Sequence, residues 1–436
     1  MCDDAHRCVR LIEGWGVEFA RVDGDYHRRH ASGSTYPRSL CRTSEIVGVQ
    51  IYRELRKWLE DHGVELISHA TCTDVLCDDN GVTGARLLVD GVPRVVSAPV
   101  VIAAWGGAGS LLPNSTYPWD VDGRGISMLA RAGVELRDLE FVEFEPMVTL
   151  SPAGAKGEPC PTAMLGEGAY LLNSKGERFM LKLRPEGEAG SPKTLINRAV
   201  WEQLAAGNGS PNGGAFVDLR HIPLKTLEGY PWFYNRLIKA GHDPKTELLE
   251  VGPAPHSHSG GAVVDSGYAA RVDGLYAVGE ASGGVHGACR LAGNAATQAL
   301  VSGILAAEAI GARSLRKAEA PRVTRELRLD PDARKSGHGL LQDTLGASLG
   351  SVRTETRLKS GLARIEEMLE GGEVDQDDLL RQEIEAARLI IVSALARKES
   401  RGSHVRGDYP ATDGAYRGSV YVEQGRSGAV QCTFRQ

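Results

Sequence analysis

Residues 274–300 read GLYAVGEASGGVHGACRLAGNAATQAL and contain the feature that most constrains the fold. Residues 275–278 are a short apolar run typical of a buried strand, and Gly279 begins a glycine-rich turn. A second turn, with an isolated Arg290, leads into an alanine-rich helix predicted over about 294–310. Because the first N–H groups of a helix lack partners, a helix start behind small residues favours an anion or a dipole.

A second stretch, residues 95–109 (VVSAPVVIAAWGGAG), has the same form, with a β-branched run ending at Gly106 and Gly107. Strands that end in glycine turns and lead to apolar helices predict an α/β layered domain. The ligand of such a domain lies at the carboxyl ends of its strands. The helix at 294–310 carries few charges, so we expect it to be buried on most sides.

Changes in composition divide the chain. Residues 141–250 carry more proline, glycine and charge, and the strand pattern resumes after them, which predicts an inserted unit. Beyond residue 315 apolar residues recur at helical spacing, which predicts a bundle of three helices; these residues are Leu358, Leu362, Ile365, Leu369, Leu380, Ile384, Ala387 and Ile391. The predicted domains are an α/β domain in two parts (1–140 and 251–314), an insert (141–250) and a helical domain (315–436).

Bulk properties exclude several classes of partner. The 436 residues carry a net charge of −6 with both signs interspersed, so neither nucleic acid nor an anionic membrane surface is expected. The 8 cysteines show no C-x-x-C pair and no metal-binding spacing, which predicts free, buried thiols and no metal site. No signal peptide or spanning apolar run is visible, so we expect a cytoplasmic protein or one on the cytosolic face of a membrane.

Five strings that occur in order carry a family resemblance: RAGVELRDLEFVEFEP, GEGAYLLNSKGERFM, HSHSGGAVVD, GLYAVGEASGGVHGACRLAGNA and RKESRGSHVRGDYP. Together they resemble the flavoprotein subunits of succinate dehydrogenase and fumarate reductase, with their relative L-aspartate oxidase. The resemblance implies an FAD-binding Rossmann-like domain, an inserted α+β capping domain and a C-terminal helical domain. It also implies FAD as cofactor and, as a partner, an iron–sulfur electron-transfer subunit.

The resemblance gives the helix start at CRLAGNAA a role, since in the family this N-terminus points at the flavin ring near N1 and O2. Reduced flavin is negatively charged there, and the partial positive charge of the helix start stabilises that charge. The glutamate of the GE step holds the ribitol chain in the family. The cofactor-binding residues predicted in this way are Gly106, Gly107, Gly279, Glu280, Gly293, Asn294 and Ala295. The alternative is a plain strand-to-helix connection.

The ADP half of FAD requires a further motif in this family, a strand followed by G-x-G-x-x-G and a helix, with an acidic residue about 20 positions on. The sequence contains no such string. We therefore expect the pyrophosphate-binding segment to be absent from this chain. Either a separate polypeptide supplies that segment or the chain is a fragment of a longer product, and the fragment is the simpler hypothesis.

The substrate site of the family clamps C4 dicarboxylates with two histidines and two arginines and uses another arginine as proton-transferring acid. His256 and Arg290 match one histidine and one carboxylate-binding arginine. Glu145 falls at the position of the other histidine, and Lys193 falls at the position of the acid. Thr162 is the second of two residues that stand where the family has a threonine–glutamate pair.

These substitutions change the predicted substrate. Lysine keeps the charge of arginine but loses its planar fork, and Glu145 repels a dicarboxylate. A substrate with one carboxylate and one cationic or neutral polar end suits Arg290 and Glu145 better. Lys193 could transfer the proton if positive neighbours lowered its pKa toward neutrality. His256 has a simpler alternative as a hydrogen-bonded structural histidine.

Two functions from different classes remain. The first is a flavin-dependent oxidoreductase that transfers hydride between FAD N5 and a carbon next to a carboxylate, with Lys193, Arg290 and His256 as catalytic residues. The second is a non-catalytic flavoprotein subunit or fragment that acts in assembly or electron relay. The altered clamp and the missing nucleotide motif favour the second, and the complete flavin-side strings favour the first.

Overall fold

A computed structural model describes residues 1–29, 36–41, 47–317, 321, 323, 325–372, 374–425 and 428–436. The α-helices in this part of the chain are α1 (Cys2–Gly14), α2 (Val47–Asp61), α3 (Arg124–Arg131), α4 (Ala163–Gly166), α5 (Lys193–Ala205), α6 (Leu224–Glu228), α7 (Pro231–Lys239), α8 (Asn294–Gly311), α9 (Pro331–Ser348), α10 (Glu355–Glu370) and α11 (Asp378–Ala396). The strands are β1 (Arg21–Val22), β2 (Asp25–Tyr26), β3 (Arg28–Arg29), β4 (Ser39–Leu40), β5 (Ala70–Asp78), β6 (Gly81–Val89), β7 (Val92–Ser97), β8 (Val101–Ala103), β9 (Leu136–Arg137), β10 (Val142–Ser151), β11 (Tyr170–Leu172), β12 (Ala215–Asp218), β13 (Leu249–His258), β14 (Gly261–Ala262), β15 (Leu275–Ala277), β16 (Ser419–Gln424) and β17 (Val430–Arg435).

The two strands predicted from the glycine-ended runs form a parallel pair. Strand β15 lies beside β8, with Leu275 opposite Val101 and Ala277 opposite Ala103. Because the strands are parallel, their carboxyl ends meet at one edge, and the glycine turns that follow come together there. The prediction of an α/β domain with strands ending in glycine turns is therefore confirmed. The antiparallel sheet β5–β6–β7 stands before β8 and had no counterpart in the sequence analysis.

Helix α8 has the predicted bounds within one residue, but its predicted burial on most sides is wrong. Its buried residues are only Gln298, Val301, Ser302 and Ala306. These lie on the one face that packs against the turn after β15, where the Ser302 hydroxyl accepts from the Gly279 N–H at 2.8 Å. The low charge of α8 therefore reflects small, uncharged residues on its exposed faces, and only one face is buried.

The insert has a sheet and a core of its own. Its sheet runs β10–β13–β12–β11, all antiparallel. A separate cluster of buried side chains, including Met147, Phe179 and Ile196, packs between this sheet and α5. The predicted boundary between residues 250 and 251 falls inside β13, because this strand continues from the insert into the α/β part. The division of the chain at these residues stays a prediction.

The C-terminal part contains the three predicted helices, α9, α10 and α11. Asp377 caps α11 by accepting from the N–H groups of Leu379 and Leu380, as the Asp-rich turn predicts. A hairpin of β16 and β17 follows the helices, and β16 pairs with β9. The hairpin thus joins a sheet of the α/β part, an arrangement that the helical periodicity did not predict.

A buried ion pair ties the same two parts together. The Nε of Arg397 lies 2.6 Å from Oε1 of Glu140, and both side chains are fully buried. His404 accepts from Arg353 at 2.8 Å, and Arg353 also donates to the Glu140 carbonyl at 2.6 Å. The string around His404 therefore packs the C-terminal part against the α/β part.

Two further expectations concern thiols and membranes. Of the 8 cysteines only Cys8 and Cys160 are buried, whereas Cys2, Cys77 and Cys289 are exposed, so the prediction of buried thiols is wrong for most of them. Among the residues that the structure describes, no helix combines the length and the apolar character needed to cross a membrane.

Candidate active site

The candidate site begins with two carboxylates on one strand. Glu143 and Glu145 are two positions apart on β10, so their side chains leave the strand on the same face. Strand β13 pairs antiparallel with β10, and Ser257 stands opposite Glu143. Both glutamates are buried, at 4% and 6% relative exposure. Buried carboxylates require cationic or hydrogen-bonding partners, which other elements supply.

Arg290 reaches the cross-strand pair of Glu143 and Ser257 from the turn before α8. Its Nε donates to the Ser257 hydroxyl at 2.9 Å, and its Nη1 donates to the Leu291 carbonyl at 3.3 Å. Its Nη2 lies 3.5 Å from Oε1 of Glu143. A guanidinium has five N–H donors, so one N–H on each terminal nitrogen remains available. Donors on the two terminal nitrogens of a guanidinium are the ones that can bind a carboxylate end-on.

Lys193 begins α5 and brings an ammonium to the same two carboxylates. Its Nζ lies 2.6 Å from Oε2 of Glu145 and 3.5 Å from Oε1 of Glu143. The nearest charged neighbours of Lys193 are therefore negative, so the condition set for its proton transfer, a positive surrounding, is not met. The reason is that β10 turns both glutamates toward the start of α5.

His256 joins the cluster from β13 through a hydrogen bond between its Nδ1 and the Thr116 hydroxyl, 3.1 Å apart. Burial lowers the pKa of His256 below its usual range, and Lys193 and Arg290 add to this effect while Glu145 opposes it. The imidazole is therefore neutral near pH 7. The Thr116 hydroxyl also donates to the Pro255 carbonyl at 3.0 Å. Because a hydroxyl has one proton, Nδ1 of His256 then carries the imidazole proton and donates to Thr116, and Nε2 is an acceptor.

The cluster formed by Glu143, Glu145, Lys193, His256 and Arg290 contains two carboxylates, two cations and one neutral imidazole. The charges of the four ionised groups balance. A ligand with two negative ends would leave this cluster with excess negative charge in a buried site, whereas a ligand whose own charges balance would not.

Thr162 lies at the start of the short helix α4 and does not cap it with its side chain. The hydrogen bonds found in the described residues do not connect Thr162 to the cluster. Its predicted part in substrate binding stays a prediction that the contacts do not support.

Glu280 occupies the junction of the two glycine turns. Its Oε1 accepts from the Tyr117 hydroxyl at 2.5 Å and from the His258 N–H at 2.7 Å, while its Oε2 accepts from the Gly107 N–H at 3.2 Å. A carboxylate can accept about four hydrogen bonds, so one position on Oε2 remains. Burial and the charge of Glu280 raise the pKa of Tyr117 well above its usual range, so the phenol stays a donor.

Close backbone approach explains two of the predicted glycines. A Cβ on Gly107 would lie 2.8 Å from the Cβ of His258. Gly293 precedes α8 with a φ of 86°, a left-handed conformation that favours glycine, and a Cβ there would meet the Ser39 hydroxyl at 2.8 Å. At Gly106 and Gly279 the φ values of 78° and 58° impose the same preference.

The residues at the start of α8 fit a flavin. Gly293 and Ala295 are exposed, Asn294 is half-buried, and the side chain of Leu291 beside them is 44% exposed. Small exposed residues, the partial positive charge of a helix start and a neighbouring apolar side chain suit a flat, partly charged ring. Bound FAD would therefore be held by the α8 start, with Glu280 near its polar chain.

Family models match most of the chain. A model described as FAD binding domain matches residues 1–296, and one described as Fumarate reductase flavoprotein C-term matches residues 379–435. The first match alone covers more than half of the sequence. The chain belongs to the fumarate reductase and succinate dehydrogenase flavoprotein family. It is a FAD-dependent oxidoreductase of this family, whose members act on CH–CH or CH–NH donors.

Two relatives agree with this assignment. A fumarate reductase (CoM/CoB) subunit of Methanothermobacter marburgensis is 30% identical over 451 residues, covering 97% of this chain and 82% of the relative. An L-aspartate oxidase of Caulobacter vibrioides is 38% identical over 360 residues, covering 80% of this chain and 66% of the relative.

Solved structures confirm the predicted fold class. The FrdA chain of Escherichia coli quinol fumarate reductase superposes with a TM-score of 0.85 at 25% identity, covering 100% of this chain and 82% of that chain. Mycobacterium smegmatis Sdh1 gives a TM-score of 0.84 at 28% identity, covering 99% and 80%. The flavoprotein fold with a FAD-binding domain, capping insert and C-terminal helical domain is therefore shown.

Four residues of the site were not found from the sequence. Glu143 could have been found, since it is two positions before Glu145, the spacing of side chains on one face of a strand. Ser257, Thr116 and Tyr117 gave no signal, because serine, threonine and tyrosine are common in loops and strands. Only the pairing of β10 with β13 and the folding of the 109–121 loop bring them to the cluster and to Glu280.

Proposed function

We propose that this flavoprotein oxidises or reduces a carboxylate-bearing substrate whose other end is cationic or neutral and polar. One observation carries the proposal: Arg290 has two N–H donors left for a ligand, and it belongs to a cluster whose charges already balance. Arg290 would bind the single carboxylate, and a second carboxylate would meet Glu143 or Glu145. Succinate and fumarate fit this cluster poorly.

In this proposal Arg290 fixes the substrate carboxylate through the two donors that its protein contacts leave free. His256 would orient the same carboxylate by donating from Nε2, which requires Thr116 to donate to Nδ1 instead of to the Pro255 carbonyl. Bound FAD supplies hydride transfer at its N5. The protein residues bind the carboxylate, exclude water from it and hold it beside the start of α8.

Lys193 is the proposed proton-transferring group. Its ammonium has three donors, of which Glu145 takes one at 2.6 Å and Glu143 approaches a second at 3.5 Å. The third donor can reach a substrate carbon, and Glu145 stabilises the ammonium when a proton returns to it. Glu145 is thus a positioning residue, because it holds the ammonium of Lys193 in place.

Two finer assignments belong to the same proposal. The chain contributes the ring-side contacts of FAD, and a segment with G-x-G-x-x-G contributes the pyrophosphate contacts. An electron-transfer subunit that carries iron–sulfur clusters would accept or supply the electrons. The M. marburgensis relative is itself named as one subunit of a fumarate reductase, which supports a role for this chain within a larger enzyme.

The test uses the chain together with a segment that supplies G-x-G-x-x-G, loaded with FAD under anaerobic conditions. Reduction of the flavin absorbance is followed with succinate, with L-aspartate and with monocarboxylates that carry an amino or hydroxyl group. We expect reduction by a member of the last group and none by succinate. Reduction by succinate with saturation at micromolar concentration would contradict the proposed substrate class.

A further inference from the structure

A small cavity beside the cluster has no role in the mechanism so far. It has a volume of about 20 Å³, the space of one water-sized group, is partly open to solvent, and lies between the start of α5, the turn before α8 and the C-terminal part. Its lining residues include Glu143, Lys193, Asn197, Cys289 and Ser403. Glu143 therefore faces the carboxylate-binding arginine on one side and this cavity on the other.

Asn197, which lines the cavity, has an acceptor without a partner among the described residues. Its side chain is 5% exposed, and its Nδ2 donates to the Phe144 carbonyl at 2.9 Å. Because a carbonyl can only accept, this bond fixes which end of the amide is nitrogen. Its Oδ1 is buried and has no hydrogen-bond partner within the described part of the chain. Buried acceptors in folded proteins are normally paired, so a ligand or water is expected there.

The chemistry of the lining favours a cation. Glu143 is an acceptor that only weak contacts satisfy, since Lys193 and Arg290 each lie 3.5 Å from its Oε1, and the Cys289 thiol lies 3.7 Å from its Oε2. Asn197 adds a neutral acceptor. Two buried acceptors, one of them a carboxylate, match the donors of an ammonium group.

From these contacts we propose that the cavity binds the cationic end of the substrate, with Glu143 and Asn197 as the specificity-determining residues. The proposal rests on the proposed function, in which Arg290 holds the carboxylate. The substrate class becomes an amino acid whose ammonium and carboxylate stand at opposite ends of a short chain. Such a zwitterion leaves the balanced charge of the cluster unchanged.

Cys289 offers a readout that does not depend on turnover. It is exposed and lines the cavity, and burial of its thiol together with Glu143 raises its pKa to about 11. Iodoacetamide at pH 9 should alkylate it slowly, and mass spectrometry separates it from Cys77, an exposed thiol outside the cavity. An ammonium group held by Glu143 and Asn197 would lie against Cys289 and slow its alkylation.

The experiment uses the chain with the segment that supplies G-x-G-x-x-G, loaded with FAD, and three probes with five carbons each: 5-aminopentanoate, pentanoate and glutarate. Calorimetry gives their affinities. Shorter and longer ω-amino acids then measure the distance between the carboxylate site at Arg290 and the ammonium site in the cavity. We expect 5-aminopentanoate, or a neighbour in length, to bind about tenfold or more tightly than its neutral analogue. The same probe should slow alkylation of Cys289 and leave Cys77 unchanged.

Variants make the assignment specific. E143Q should remove the preference for the ammonium over the neutral end. It should also abolish the protection of Cys289, measured as the ratio of its alkylation rates with and without probe. N197L should reduce the same preference by severalfold, and it keeps the test decisive if E143Q does not fold. Equal affinities of amino and neutral probes, with binding that still requires Arg290, would overturn this inference alone. Failure of all carboxylates to bind would overturn the proposed function.

Discussion

Replacing Arg290 by alanine is the sharpest test of the carboxylate site. The side chain is 6% exposed, and three of its five donors are used by Ser257, Leu291 and Glu143. Alanine removes the two remaining donors, which we assign to the substrate carboxylate. Truncating one partner of a buried, hydrogen-bonded charge pair costs about 2–5 kcal/mol, which is roughly 30- to 5000-fold in affinity.

The assay is flavin reduction by the substrate found in the anaerobic screen, combined with calorimetry of its non-reacting analogue. R290A should lose binding by that factor while its FAD absorbance and circular dichroism stay unchanged. R290K should recover little, because an ammonium cannot make the bidentate contact. Turnover of R290A within twofold of the parent would refute the assignment and place the carboxylate elsewhere.

A matched control separates the site from general destabilisation. Arg131 is also partly buried, and its Nε and Nη2 each donate to Glu385 at 2.8 Å, in the packing of α3 against α11. R131A should lower the free energy of unfolding without changing substrate affinity. A loss of affinity in R131A as large as that in R290A would mean that the Arg290 effect is not local.

Three further predictions concern the cofactor, the insert and pH. Residues 1–436 alone should bind FAD weakly, because they lack G-x-G-x-x-G. Supplying a segment with that motif should restore near-stoichiometric flavin absorbance. Tight binding of FAD by the chain alone would contradict this prediction. Limited proteolysis should spare the borders of the insert near residues 141 and 250, which lie beside or within the paired strands β10 and β13, and should cut first in an exposed loop such as residues 211–213. Early cleavage at either border would contradict this pairing. Burial and Arg353 lower the pKa of His404 well below its usual range, so the folded protein keeps it neutral while the unfolded chain binds a proton below about pH 6.5. Stability should therefore fall as pH drops below that value, and denaturant titrations at pH 7.5 and 5.5 should show a smaller fall in H404Q than in the parent.

The sequence by itself determined the local elements and the cofactor. Apolar runs that end in glycines can only be strands that turn sharply, and the alanine-rich stretch behind Gly293 can only begin a helix there. Capping by Asp377 and the spacing of Leu358 and Ile365 likewise fixed the C-terminal helices. These features depend on neighbours within a few positions, which a single sequence displays directly.

The tertiary structure alone decided which charges face one another. Glu143, Lys193 and Arg290 lie on three elements more than 40 positions apart, and only the register of β10 against β13 turns Glu143 toward Arg290. The sequence allowed proton transfer by Lys193 only on the condition that its neighbours were positive. The fold gave it two carboxylates instead, since residues two apart on a strand share a face and that face meets the start of α5. Long-range pairing of this kind has no local signature, which is why the charge balance of the site could be read only from the folded chain.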